Sequence, residues 1–341
     1  MNFKLAAVAA AVAATLALAA CGGGGDNGAS FAPIGNIVPP APPAPPAPPP
    51  PAEPPAPAPA PAPAPATNTF LYEKLPNPAD AAGLLSDLNA EGAKGYMFLS
   101  PLASGGSSAY VYVKTGDATY VYETKTPVAS AADFLSQANE AGSRGFRWVG
   151  ALSTGGASTV MVYRKDSDAA GATYTYHTEA AASDKDSFLA QVNAQGAAGY
   201  FNTAAAYGFG GDIVAVFEKS SAGNSTYAYE VGADAADTIG ALAQFDEKGA
   251  RGLRYRYPYL LGGFSGSVFV KDLSQSSTFT YQALTEGATL DADIAQSNAV
   301  GADGYGFVGP LIVGSESRNY YYKPSNCTGI VICKPTNPFG L

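Results

Sequence analysis

Histidine is almost missing from this chain: His177 is the only one among 341 residues. No cysteine lies between residues 22 and 326, and Trp148 is the only tryptophan. Without Ser-His or Cys-His pairings and without an HExxH run, nucleophilic triads and zinc-hydrolase chemistry have nothing to build on. Basic runs are missing too. Nineteen Lys and Arg stand against 28 Asp and Glu, a formal charge of −9, which argues against a nucleic-acid partner. Metal-ligand clusters are lacking, so no cofactor, metal or catalytic residue is expected. Asp and Glu are spread through the loops, and no pair stands out; spatial pairing of two carboxylates for hydrolysis stays open.

What is present is repetition. A seven-residue phrase occurs five times, as NAEGAKG (89–95), NEAGSRG (139–145), NAQGAAG (193–199), DEKGARG (246–252) and NAVGADG (298–304). Twenty residues before its first glycine stands Tyr72, Tyr122, Tyr176, Tyr229 or Tyr281. Nineteen or 20 residues after its second glycine stands Lys114, Lys165, Lys219, Lys271 or Lys323. Three anchors in five copies mark a tandem repeat. Each copy opens on alternating aromatics such as TYVYE and TYTYH, a strand pattern with one buried face. A helix follows, with a stripe carried by Leu85, Leu135, Leu189, Leu242 and Ile294 and by the residues three further on. Asp80, Ser130, Ser183 and Asp237 are expected to cap these helices. Two strands around a glycine turn, ending in the recurrent lysine, complete a β-α-β-β unit.

The repeated glycines are Gly92 and Gly95, Gly142 and Gly145, Gly196 and Gly199, Gly249 and Gly252, and Gly301 and Gly304. The first of each pair is expected to close the helix in the left-handed conformation, and the second to allow a tight start to the next strand. The Asn or Asp three residues before the first glycine is expected to reach amides of that loop. A phosphate cradle is not expected, because such loops precede a helix, whereas these follow one. The recurrent Glu of the first strand and the recurrent Lys of the third are expected to pair across strands. His177 shares its position with Glu73, Glu123, Glu230 and Gln282 and reads as a solvated strand edge. Trp148 reads as packing. Arg254, Tyr255, Arg256, Tyr257 and Tyr259 form the candidate binding patch, since 21 tyrosines and 16 phenylalanines exceed what five small cores need.

The N-terminus has a separate character. Lys4, an apolar run to Ala20 and the sequence Leu18-Ala19-Ala20-Cys21 build a leader that resembles the lipobox of bacterial lipoproteins. The resemblance implies cleavage before Cys21 and acylation of that cysteine. Gly22, where Asp would imply inner-membrane retention, implies the outer membrane. The membrane is then a partner through lipid, and the cell envelope the location. The Pro/Ala tract from Pro39 to Ala66 reads as a semi-rigid polyproline-II spacer. In such an oxidising compartment Cys327 and Cys333 are expected to form a disulfide.

The segments are therefore 1–20 leader, 21–69 linker, 70–117, 118–171, 172–223, 224–275 and 276–325 repeats, and 326–341 tail. The strand-helix-N-x-x-G-x-x-G-aromatic-strand pattern resembles a small bacterial domain family of unknown function, which carries tryptophan where this chain has Tyr, Phe or Leu. Five such units are also similar, by circular shift, to the modules of pentein α/β propellers. The expected fold is α+β, either a closed pentein-like ring or an open array. The expected function is non-catalytic binding or scaffolding, with an envelope protein, peptide or glycan as partner. The alternatives are a ring with an axial ligand site or carboxylate hydrolase, and a structural spacer.

Overall fold

The alternating aromatic segments do form strands, and the aliphatic stripes do form helices. A computed structural model describes residues 69–336 except 157 and 330. The leader, Cys21 and the Pro/Ala tract lie outside the described residues. Five groups follow one element order. They are β1 (Leu71–Pro76), α1 (Ala81–Ala93), β2 (Tyr96–Ser104), β3 (Ser107–Lys114); β4 (Tyr120–Lys125), α2 (Ala131–Ser143), β5 (Arg147–Ser153), β6 (Thr159–Asp166); and β7 (Tyr174–Ala180), α3 (Lys185–Ala197), β8 (Phe201–Phe209), β9 (Asp212–Ser220). The last two are β10 (Tyr227–Ala233), α4 (Thr238–Ala250), β11 (Arg254–Leu261), β12 (Phe264–Asp272); and β13 (Thr278–Thr285), α5 (Leu290–Ala302), β14 (Gly306–Val313), β15 (Glu316–Ser325). Each group makes one open, antiparallel, three-stranded sheet with its last strand in the middle, as in β1-β3-β2. No helix among the described residues is long and apolar enough to cross a membrane.

The middle strand is the most deeply buried because both faces are covered. Tyr112, Tyr163, Phe217, Phe269 and Tyr321, each two residues before the recurrent lysine, are fully buried. The helices bury positions four apart: Leu84, Leu88 and Gly92 in α1, and Phe188, Val192 and Gly196 in α3. The stripe is thus centred one residue earlier than expected, on Leu84, Phe134, Phe188, Ala241 and Asp293, while Leu85 and its counterparts are half-buried. Asp80, Ser130 and Asp237 cap as expected, and Thr289 caps α5. On α3 the cap is Asp184, not Ser183: it stands 12 residues before Gly196, as the other caps do before their glycines, and accepts from the amides of both Asp186 and Ser187.

The repeated phrase joins one group to the next. The first glycine lies inside its helix, against the first strand of the following group. A Cβ on Gly92 would stand 2.2 Å from the Tyr120 carbonyl oxygen, and one on Gly249 2.0 Å from that of Phe279. The left-handed turn falls instead to the second glycine, with φ of 90°, 87°, 88°, 87° and 88° at Gly95, Gly145, Gly199, Gly252 and Gly304. The asparagine likewise faces the next group, not its own loop. Asn193 accepts from the Tyr229 amide at 2.8 Å and donates to the Tyr229 carbonyl at 3.2 Å. That tyrosine's hydroxyl then accepts from the Asn202 amide at 2.7 Å, back in the group that holds Asn193. Asn89–Tyr122 and Asn139–Tyr176 repeat the clip, and Asp246 accepts from Tyr281 without the second bond. The clip also links the last group to the first: Tyr72 donates to Asn298 at 2.6 Å and accepts from it at 2.9 Å, and Phe70 donates to the Gly301 carbonyl at 3.0 Å.

The recurrent lysine and glutamate do not pair with each other. Lys114, Lys165, Lys219 and Lys271 donate to the carbonyls of Lys94, Arg144, Ala198 and Arg251 at 2.8–3.0 Å, satisfying helix C-termini. Glu123 and Glu230 take the guanidiniums of Arg144 and Arg251 at those same helix ends. A cation at a helix C-terminus is favoured by the local dipole as well as by these bonds.

Candidate functional site

Every second strand carries a bulge four residues after the left-handed glycine. The residues left out of register are Leu99, Val149, Thr203, Arg256 and Val308. A bulge re-aims its side chain. Four of these residues, Leu99, Val149, Thr203 and Arg256, line one cavity of about 80 Å³, together with Met97, Phe201 and Arg147. Three bulges thus supply apolar or short side chains, and the fourth supplies an arginine.

The charges around this cavity are unevenly matched. Arg147 donates through Nε and Nη2 to Oε1 of Glu218, at 2.9 and 2.6 Å, and the Tyr176 hydroxyl donates to Oε2 at 2.7 Å. Arg164 donates to both oxygens of Asp166, at 2.5 and 3.0 Å. Burial opposes ionisation of Asp166, but the Arg164 charge outweighs it and holds the carboxyl below its usual range. Arg254, 2% exposed, donates to the carbonyls of Ile332 and Lys334 at 3.0 and 2.6 Å and lies 4.1 Å over the Tyr322 ring. Arg256, 4% exposed, donates Nη1 to the Thr336 hydroxyl at 2.8 Å and stacks 4.8 Å from the Phe201 ring. Its Nε has no partner, and burial lowers its pKa to about 10.

The patch expected at residues 254–259 is therefore not an exposed surface. Arg254, Tyr255, Arg256, Tyr257 and Tyr259 are all buried, the two arginines under the tail and the tyrosines in the core. Tyr257 donates to Asn202 at 2.6 Å, and Tyr255 packs on Phe245. Trp148 is buried against Phe134 and Tyr207. His177 faces Glu179 at 3.2 Å on a half-exposed strand. Cys327 and Cys333 form a disulfide that loops the tail back. Tail residues Val331, Pro335 and Thr336 then line the same cavity as Arg256, and the tail is tied by Tyr322 to the Cys333 carbonyl and by Lys334 to Asp168 at 2.6 Å. Arg256 stands in the surface patch expected from the sequence, but its burial at a bulge does not show when the strand is read by itself. Aligning the five copies at the second glycine puts Leu, Val, Thr, Arg and Val in one column, and the odd charge then shows.

A second concavity is larger and more open. A cleft of about 670 Å³ runs between the β2–β3 hairpin, β5 and β14. Its floor holds Leu102, Leu152, Leu290 and Phe307, and its rim holds Asn77, Ser104, Ser108 and Glu286, with Thr154 and Asn319 buried in its lining. The Asp293 carboxylate beneath it is spent on the Gly287 amide and Asn319, both at 2.7 Å. Tyr110 donates its hydroxyl to the Ser153 carbonyl at 2.7 Å and stays buried, as does Phe307. Neither offers a flat aromatic face to a sugar ring. Among the described residues no cluster of His, Cys, Asp and Glu could hold a metal ion. No protein-family model, curated protein or solved structure matches the chain.

Proposed function

We propose that this chain is a lipid-anchored envelope protein whose five β-α-β-β repeats close into a ring and bind an extended apolar peptide without catalysis. The observation that carries the binding is the cleft of about 670 Å³, a size usual for ligand sites, with an apolar floor and a hydrophilic rim on which Glu286 carries charge. Apolar peptide side chains suit the floor, and backbone amides suit the Asn and Ser rim. A glycan would want an exposed aromatic platform, which Tyr110 and Phe307 do not provide. Closure is supported by the Asn298–Tyr72 clip, which copies the clips between successive repeats. The anchor rests on Leu18–Cys21, and an acylated Cys21 in the mature protein is its test. Hydrolysis by buried carboxylates finds no support, since Glu218 and Asp166 are both engaged by arginines.

The test pans random dodecapeptides against the full chain and titrates the selected ones by fluorescence polarisation. Apolar peptides should emerge, and Leu102→Glu, which puts a carboxylate on the half-exposed floor, should weaken them at least tenfold. Peptides that bind this variant and the wild type equally would sink the cleft as the site.

A further inference from the structure

We propose that the smaller cavity is a second binding site, for a small oxyanion held by Arg256 against tail residues Val331, Pro335 and Thr336. The inference is independent of the cleft. Of the four arginines grouped here, Arg164, Arg254 and Arg256 are buried and Arg147 is half-buried. Arg147 and Arg164 have carboxylate partners, and Arg254, whose Nε is also unpartnered, spends its Nη1 on two tail carbonyls. Arg256 has one hydroxyl, that of Thr336, and an Nε with no partner at all. A buried guanidinium without a counter-charge is among the costliest groups a fold can carry. The same bulge position elsewhere carries Leu99, Val149, Thr203 or Val308, so the architecture does not demand an arginine there.

The surroundings fit an anion. Burial lowers the Arg256 pKa only to about 10, so the side chain stays charged at neutral pH. Arg147 lines the same cavity and adds a second positive group beside its paired Glu218. A guanidinium fork matches two oxygens of a carboxylate or phosphate, and walls of Met97, Leu99 and Phe201 keep the local dielectric low. A cavity of about 80 Å³ suits inorganic phosphate or an acetate-sized carboxylate and excludes nucleotides. The Thr336 hydroxyl, already on Nη1, can donate to the same anion. The disulfide at Cys327–Cys333 keeps that stretch of tail in place over it.

The experiment follows thermal unfolding of the full chain by Trp148 fluorescence in sodium phosphate, sodium acetate or sodium chloride at equal ionic strength. The expected result is a rise of several degrees at about 10 mM phosphate or acetate that chloride does not give. A larger response to phosphate assigns a tetrahedral inorganic anion, and a larger response to acetate assigns a carboxylate. Arg256→Leu should abolish the response and raise the anion-free melting temperature, because it installs the side-chain type found at the sister bulges. Arg256→Lys, which keeps the charge and loses the fork, should weaken anion affinity about tenfold, and it decides the matter if the leucine variant does not fold. Equal behaviour of all three salts in the wild type, or a response unchanged in both variants, overturns the proposal.

Discussion

Glu73 sits half-buried on β1 beside Glu91, a buried carboxylate near the end of α1 that also holds Lys94 at 2.7 Å. Burial and the Glu91 carboxylate push the Glu73 carboxyl up to about 7, whereas its unfolded value is 4.5. Between those values the folded chain holds a proton that the unfolded chain has released. Stability on account of Glu73 therefore falls as pH rises from about 4.5 to about 7. Glu91 has the opposite sign. Its pKa is lowered, against burial, by Glu73 and Lys94, so its contribution is lost only as pH falls below the unfolded value. Glu73→Gln should remove the first effect, while its amide can still donate to Glu91 as the protonated Glu73 does. After allowance for solvent screening we expect a gain of about 1 kcal/mol above pH 7, or roughly 2–4 °C in Tm, with no gain at pH 4. Melting curves at pH 4, 6 and 8 decide it, and a pH-independent difference would contradict the assignment. The sister position to Glu91 is Lys248 in the fourth group, where it bonds Glu230. One position thus holds a matched pair in one group and a strained one in another.

At the scale of elements, the helix glycines are packing residues. An Ala at an ordinary helix position gains about 0.5–1 kcal/mol over Gly. Gly83, whose Cβ would meet nothing closer than Asp80 Oδ1 at 3.4 Å, should follow that rule when changed to Ala. Gly249→Ala should do the reverse and cost about 1–3 kcal/mol or more, because its Cβ would stand 2.0 Å from a backbone oxygen that cannot step aside. Urea unfolding of both variants gives the comparison, and shifts of the same sign would refute the packing account. The strands and helices were legible in the sequence because alternation and aliphatic spacing are local signals. The five turns were legible as well, although the left-handed residue is Gly95 and its counterparts and not Gly92. What Gly92 and Asn89 touch belongs to the next group, and no local pattern reports a contact made across 28 to 33 positions. The buried setting of Arg256, which the sequence places in a surface patch, escaped for a related reason. Its neighbours in the sequence are tyrosines, which suggested a surface patch, while its neighbours in space are other bulges and the tail.

For the whole molecule, the decisive interaction is the one between the last group of elements and the first. Asn193 and Asn298 make the same two backbone bonds, the first between consecutive groups and the second between the ends of the series. In a closed ring, Asn193→Ala and Asn298→Ala should each cost about 1–3 kcal/mol, since both strand a buried strand amide. In an open array the second substitution should cost nothing. Denaturation midpoints of the two variants, compared side by side, distinguish these arrangements. A single cooperative transition should accompany closure, because no group would then have a free end from which to fray.

The Asn298–Tyr72 clip spans 226 positions, and that distance has a consequence in time. At roughly 5–20 residues per second of synthesis, the first strand waits on the order of 10–45 s for the helix that receives it. During that wait the chain carries an unfilled acceptor and an unfilled donor of the same shape. Two copies held close together could exchange first strands, each completing the other. Within one chain the tether sets an effective concentration in the millimolar range, which favours self-completion until crowding of copies approaches it. Clustering on a surface would bring the two outcomes into competition, so the spacing between neighbouring chains becomes part of what determines whether each one finishes as a monomer.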